Sequence, residues 1–125
     1  MTRTRTNQLA RIADVVAVGY EAEQAKMRRL LRQEEELLAR LDDLSPARAR
    51  IEVGGGLDPA SLTGADLRWQ TWAEARRKEI NLSLARLRVE QAQAKSDLAK
   101  AFGRSRAVEG LIRTERTRTQ PTQPD

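Results

Sequence analysis

The sequence predicts an all-α fold, an antiparallel two-helix coiled-coil hairpin forming one domain over residues 1–125. Three observations carry this expectation. Two long stretches each repeat apolar residues at alternating spacings of three and four, the period of a helix laid along another helix. A short Pro- and Gly-bearing segment separates them. The composition, 33% charged and only 3% aromatic, is too poor in bulky apolar mass for a thick globular core and suits helices packed along a seam.

The first helix is expected over residues 4–44. Its seam reads Leu9, Ala13, Val16, Tyr20, Glu23, Met27, Leu30, Glu34, Leu37, Leu41 and Leu44, of which nine of eleven are apolar. Gly19 costs this helix about 1 kcal/mol against alanine. Either it is tolerated on the outer face or it admits close approach of a partner. Ser45-Pro46 stops the helix, because proline restricts the residue before it and cannot continue the hydrogen-bond ladder.

A connector is expected over residues 45–65. Gly54-Gly55-Gly56 forms a turn, and Asp58-Pro59 reads as an N-cap followed by proline at the first helical position. The glycine triplet lacks the following Gly-Lys-Ser/Thr of a phosphate-binding loop. Thr63 to Asp66 resembles a capping box, weakened by Asp in place of Glu. The second helix is expected over residues 66–115, about 70 Å long at 1.5 Å per residue. Its seam reads Ala73, Arg77, Ile80, Leu84, Leu87, Gln91, Ala94, Leu98, Ala101, Ser105, Val108 and Ile112, nine of twelve apolar. Residues 116–125, polar and proline-bearing, are expected to form a disordered tail.

Folding back through the connector places the chain ends together. Arg3, Arg5 and Arg11 then lie beside Lys100, Arg104, Arg106, Arg113, Arg116 and Arg118, while Glu34–Glu36, Asp42 and Asp43 lie toward the connector. The net charge of +5 therefore collects at the open end. The two seam charges suggest a register: Glu34 opposite Arg77, hence Leu37 against Ala73, Leu30 against Ile80, Val16 against Ala94 and Leu9 against Ala101. The charges then pair instead of being buried alone. Glu23 faces Leu87 in this register and must reach out to water.

The residue types narrow the function. Cysteine and histidine are absent, which removes thiol chemistry, thiolate metal sites, the commonest general base and the commonest zinc ligand. No metal site, cofactor or catalytic residue is expected. The carboxylate groups Glu34–Glu36 and Asp42–Asp43 read as solvated helix faces, since acid–base work needs a cleft with shifted pKa values. No run of about 18 apolar residues exists, and the basic start Met1–Arg5 leads into no signal-peptide core, so a cytoplasmic protein is expected. Partner-binding candidates remain. Trp69 and Trp72, with Arg76, Arg77 and Asn81 nearby, either pack the connector or form a hot spot for a partner. Phe102, followed by Gly103 and then Gly110, marks either close docking or a softer helix end. Arg3, Arg5, Arg11, Arg104 and Arg106 form the basic end.

Length, the two seams, the Arg/Glu-rich surface and repeats such as Leu37-Leu38-Ala39-Arg40-Leu41 resemble the FliJ family of bacterial flagellar type III export, with its relative YscO in injectisomes. The resemblance covers residues 5–115. It implies a non-enzymatic hairpin acting as central stalk of the export ATPase ring, with the paired termini entering the ring, and contacts with the export gate and export chaperones. The Gly-rich connector and the Trp69/Trp72 pair depart from the family pattern. Two other readings stay open. One is a small basic coiled coil binding nucleic acid through phosphate contacts, against which stand the numerous acids and the lack of a stacking aromatic set. The other is a self-associating rod.

Overall fold

The computed structural model describes residues 2–45 and 64–119. Most of the expected connector, including Pro46, the glycine triplet, Asp58-Pro59 and Thr63, lies outside the described residues, as does the chain after Thr119. The fold is all-α: two long helices, α1 (Thr2–Asp43) and α2 (Gly64–Thr119), pack against each other as a helical hairpin. Neither helix has a described stretch long and apolar enough to cross a membrane.

Each helix ends for a local reason. At the end of α1 the ladder tightens: the Leu44 amide donates to the Leu41 carbonyl (3.2 Å) and the Ser45 amide to Asp42 (3.0 Å). Such three-residue bonds satisfy carbonyls that a finished α-helix leaves orphaned. The Arg77 guanidinium donates to the Leu44 carbonyl and covers the next one. At the other end, α2 runs four residues past the expected boundary at 115. In this last stretch the hydroxyls of Thr114, Thr117 and Thr119 donate to the carbonyls four residues back, at 2.9–3.0 Å, which satisfies the hydroxyls locally. Arg116 and Arg118 lie in the last turn, where cations favour the negative end of the helix dipole.

The chain divides into two compact units. The central unit spans Arg29–Gln91. Its core joins Leu44, Ala73, Ile80 and Leu84, with Leu37 and Leu41 packed against them; Leu30 and Leu87 are also buried. Each buried leucine or isoleucine stabilises the pairing by roughly 1.5–3 kcal/mol. The terminal unit comprises Met1–Arg28 and Ala92–Asp125. Its buried apolar residues are smaller: Ala94, Ala101 and Val108. All eleven and all twelve seam positions read from the sequence are buried or half-buried. Glu115, three residues beyond Ile112, is buried too and extends the seam.

The register differs from the expected one. Gln91 donates through Nε2 to the Leu30 carbonyl (3.4 Å) and to Glu34 Oε2 (2.5 Å), while Arg77 meets Leu44. Glu34 and Arg77 are therefore not partners. Leu30 lies level with Gln91, not Ile80. In the terminal unit, Lys26 pairs with Asp97 (3.8 Å) and Tyr20 with Phe102. The expected register is slipped by three seam positions, from Gln91 to Ile80 opposite Leu30, an odd number that sets steps of four against steps of three. Going up α1 from Leu30 to Glu34 is a step of four, and going down α2 from Ile80 to Arg77 is a step of three. From Gln91 down to Leu87 it is a step of four. Antiparallel seams stay level only when fours meet fours, and the observed pairing does this. Counted on in the terminal unit, Tyr20 falls level with Ala101, Val16 with Ser105 and Leu9 with Ile112. Glu23 falls level with Leu98, and one of its carboxylate oxygens is buried instead of reaching water.

The cysteine-free chain allows a direct check of register. A Leu30→Cys, Gln91→Cys variant should cross-link rapidly with a short bis-thiol reagent, and a Leu30→Cys, Ile80→Cys variant slowly or not at all. The reverse ranking would restore the Glu34–Arg77 register.

Candidate partner interface

The structure brings six of the eleven sequence candidates into one unit. Arg3, Arg5 and Arg11 of α1 and Phe102, Arg104 and Arg106 of α2 all belong to the terminal unit and are exposed. Charge separates the two units sharply. Among the described residues the terminal unit carries twelve Lys/Arg against six Asp/Glu, a surplus of six. The central unit carries nine of each and is neutral.

Phe102 does not stand alone. Its ring lies 5.8 Å from that of Tyr20, tilted by 46°, within the range where aromatic pairs attract beyond their area. The Arg106 guanidinium lies 5.9 Å from the Phe102 ring centre, at the outer limit of a cation–π contact. Arg106 also reaches Glu109 at 3.7 Å. The Tyr20 ring is thus half in the seam and half in a surface cluster topped by a cation.

The other five candidates lie in the central unit. Trp69 and Trp72 are exposed, Trp72 by 56%. They sit on the part of α2 before Ala73. Trp72, Ala75, Arg76 and Glu79 line a shallow hollow of about 280 Å³. Arg76 pairs with Glu79 at 2.8 Å, an exposed pair three residues apart that contributes little. Asn81 is exposed. Arg77 departs from its expected role. It is half-buried in the seam and caps α1 at Leu44, so its side chain serves the hairpin itself.

Sequence reasoning passed over the apolar residues of α1 that face water. Ile12, Val15 and Val18 are exposed, as is Leu111 of α2. A signal for them exists. Between Ile12 and Ala22 only Asp14 and Glu21 are charged, so the apolar character of α1 here runs well beyond one seam. The glycines also gain definition. A Cβ added at Gly19, Gly103 or Gly110 would meet nothing within 4 Å, so packing inside the hairpin demands none of them.

Comparison with protein-family models, with curated proteins and with solved structures finds no match to this chain. The surface chemistry therefore carries the functional argument.

Two substitutions separate structural from surface roles. Arg77→Ala removes a charged donor from a carbonyl at the end of α1 and should lower stability by about 1.5–3 kcal/mol, whereas Arg76→Ala should change it by less than about 0.5 kcal/mol. Glu23→Leu replaces a carboxylate having a buried, unpartnered oxygen and should raise stability by roughly 1–3 kcal/mol. Urea unfolding followed by circular dichroism measures all three.

Proposed function

We propose that this chain is a non-enzymatic coiled-coil adaptor whose basic terminal unit engages an acidic protein partner, and that the partner is the ATPase ring of a type III protein export apparatus. The single observation behind this reading is the charge division: the whole positive surplus belongs to the unit that contains both chain ends. The family resemblance supplies the identity of the ring, the export gate and the export chaperones. A unit two helices wide, each about 10–12 Å across with its side chains, is narrow enough to act as a stalk in such a ring. Its arginines provide planar, permanently charged contacts for acidic loops. The seam provides stiffness without a bound group. The site of action is the cytoplasm, where an export ATPase works.

Nucleic-acid binding is the second reading, favoured by the same surplus of six. Six carboxylates interleave with the cations of the terminal unit, and its one exposed aromatic ring, Phe102, already holds Tyr20 and Arg106. Both features argue for a protein surface over a phosphate backbone.

Charge reversal tests the proposal. Glu substitutions at Arg3, Arg5, Arg104 and Arg106 should leave helicity nearly unchanged, because exposed helix sites tolerate change. They should abolish stimulation of the cognate export ATPase. Four reversals in the central unit, at Glu35, Glu36, Asp42 and Asp43, should leave most of it. If the unmodified protein neither binds the purified ATPase nor alters its hydrolysis rate, the stalk reading fails. A salt-sensitive shift of DNA in the parallel experiment would promote the second reading.

A further inference from the structure

We infer that the terminal unit carries a docking lane for an acidic amphipathic helix of a partner protein, formed by Ile12, Val15, Gly19 and Ala22 of α1 with Leu111 of α2. The lane is separate from the hairpin seam. Its α1 residues step by three, four and three, which puts them on one helical face. Val15 is 72% exposed, Leu111 54% and Ile12 49%, so this face lacks a cover from within the described chain.

The ion pair Lys26–Asp97 fixes the two walls of the lane. Seven-residue steps back along α1 from Lys26 give Gly19, Ile12 and Arg5. Seven-residue steps forward along α2 from Asp97 give Arg104, Leu111 and Arg118. The helices are antiparallel and heptads preserve the face, so Gly19 falls level with Arg104, Ile12 with Leu111 and Arg5 with Arg118. The two columns thus read, in order, an ion pair, a glycine beside an arginine, two apolar residues, and two arginines.

The occupant follows from this order. A helix suits it because the apolar positions repeat at helical spacing over three turns, the helix-in-groove mode of recognition. Gly19 suits close approach: it weakens α1, has open space where a side chain would stand, and sits between Val15 and Ala22. Acidity follows from the walls. Arg5, Arg104 and Arg118 flank the lane, and the one carboxylate in the columns, Asp97, is held by Lys26. A second copy of this chain would set these arginines against their own kind, which costs affinity. The inference stands apart from the ring reading, since a lane of this kind serves any acidic helical partner.

The probe is a fluorescein-labelled synthetic peptide of three heptads, with leucine at two seam positions in each heptad and glutamate and alanine elsewhere. Anisotropy titration with the full chain at physiological salt should show saturable binding. Val15→Glu and Gly19→Glu should each weaken it about tenfold or more, while helicity is kept, because both positions are exposed and Gly19→Glu improves helix propensity. Val89→Glu, at a central-unit site of equal exposure (71%), should leave it unchanged. Equal binding of a peptide with scrambled leucines, or of one with lysine for glutamate, would overturn the proposal. So would affinity that survives Val15→Glu. A wild-type dimer in sedimentation equilibrium that Val15→Glu dissociates would assign the lane to a second copy. Binding to phosphatidylserine vesicles without binding to the peptide would assign it to a membrane surface.

Discussion

Everything in this structure depends on matching two alternating step patterns. Each helix presents one apolar seam to the other, and among the described residues the other helix is what covers it. Antiparallel stripes remain level when steps of three face steps of three and steps of four face steps of four. Apolar contact alone would tolerate a slide by a whole pair of steps. Polar side chains resist that slide. Gln91 holds both the Leu30 carbonyl and the Glu34 carboxylate, and Arg77 holds the Leu44 carbonyl. Sliding the helices strands these groups in a half-buried seam, where an unmade hydrogen bond costs about 1–3 kcal/mol. The apolar residues provide the attraction, and three polar side chains provide the alignment.

The seam is not uniform. In the central unit leucines and an isoleucine meet, with Leu30, Ile80, Leu84 and Leu87 all buried. In the terminal unit the buried α2 residues are Ala94, Ala101 and Val108, with Leu98, Ser105 and Ile112 half-buried among them, and the half-buried Glu23 and the buried Glu115 enter the seam. Exchanging a buried leucine for alanine costs about 2–5 kcal/mol elsewhere, so the smaller buried side chains of the terminal unit should stabilise its pairing less. It is also the unit with the charge surplus and the exposed Ile12, Val15 and Val18 of α1. The larger buried side chains lie in one unit and the positive surplus in the other; binding surfaces commonly draw on the less stable parts of a fold.

Much of this was legible in the sequence. Heptad spacing identified the seam from Leu9 to Leu44 and from Ala73 to Ile112, because burial along a two-helix hairpin follows periodicity; it stopped short of the buried Glu115. The basic end was legible too, since charge follows position once the chain is folded back. Register was not. Pairing Glu34 with Arg77 satisfied Coulomb attraction but ignored the phase of the steps, and geometry prevailed. Heptad spacing already put Arg77 in the seam and left Arg76 outside it, as the structure does; grouping both as partner contacts ignored that difference. The apolar lane was present in the letters between Ile12 and Ala22. It was overlooked because the seam already accounted for Ala13, Val16 and Tyr20, and a second period inside the first draws no notice until exposure separates them. Arg116 and Arg118 were assigned to a tail because polar composition outweighed the back-bonding threonines beside them.

The neutral unit buries the larger side chains, Leu30, Ile80, Leu84 and Leu87, and the basic unit the smaller ones, Ala94, Ala101 and Val108, so the neutral unit should hold the hairpin more firmly. Amide hydrogen exchange under native conditions measures this residue by residue. The claim predicts the slowest exchange near Leu37, Leu41, Ile80 and Leu84. It predicts opening at distinctly lower free energy for amides from Leu9 to Tyr20 and from Ala101 to Ile112. Uniform protection along both helices, or protection greatest in the terminal unit, would contradict it.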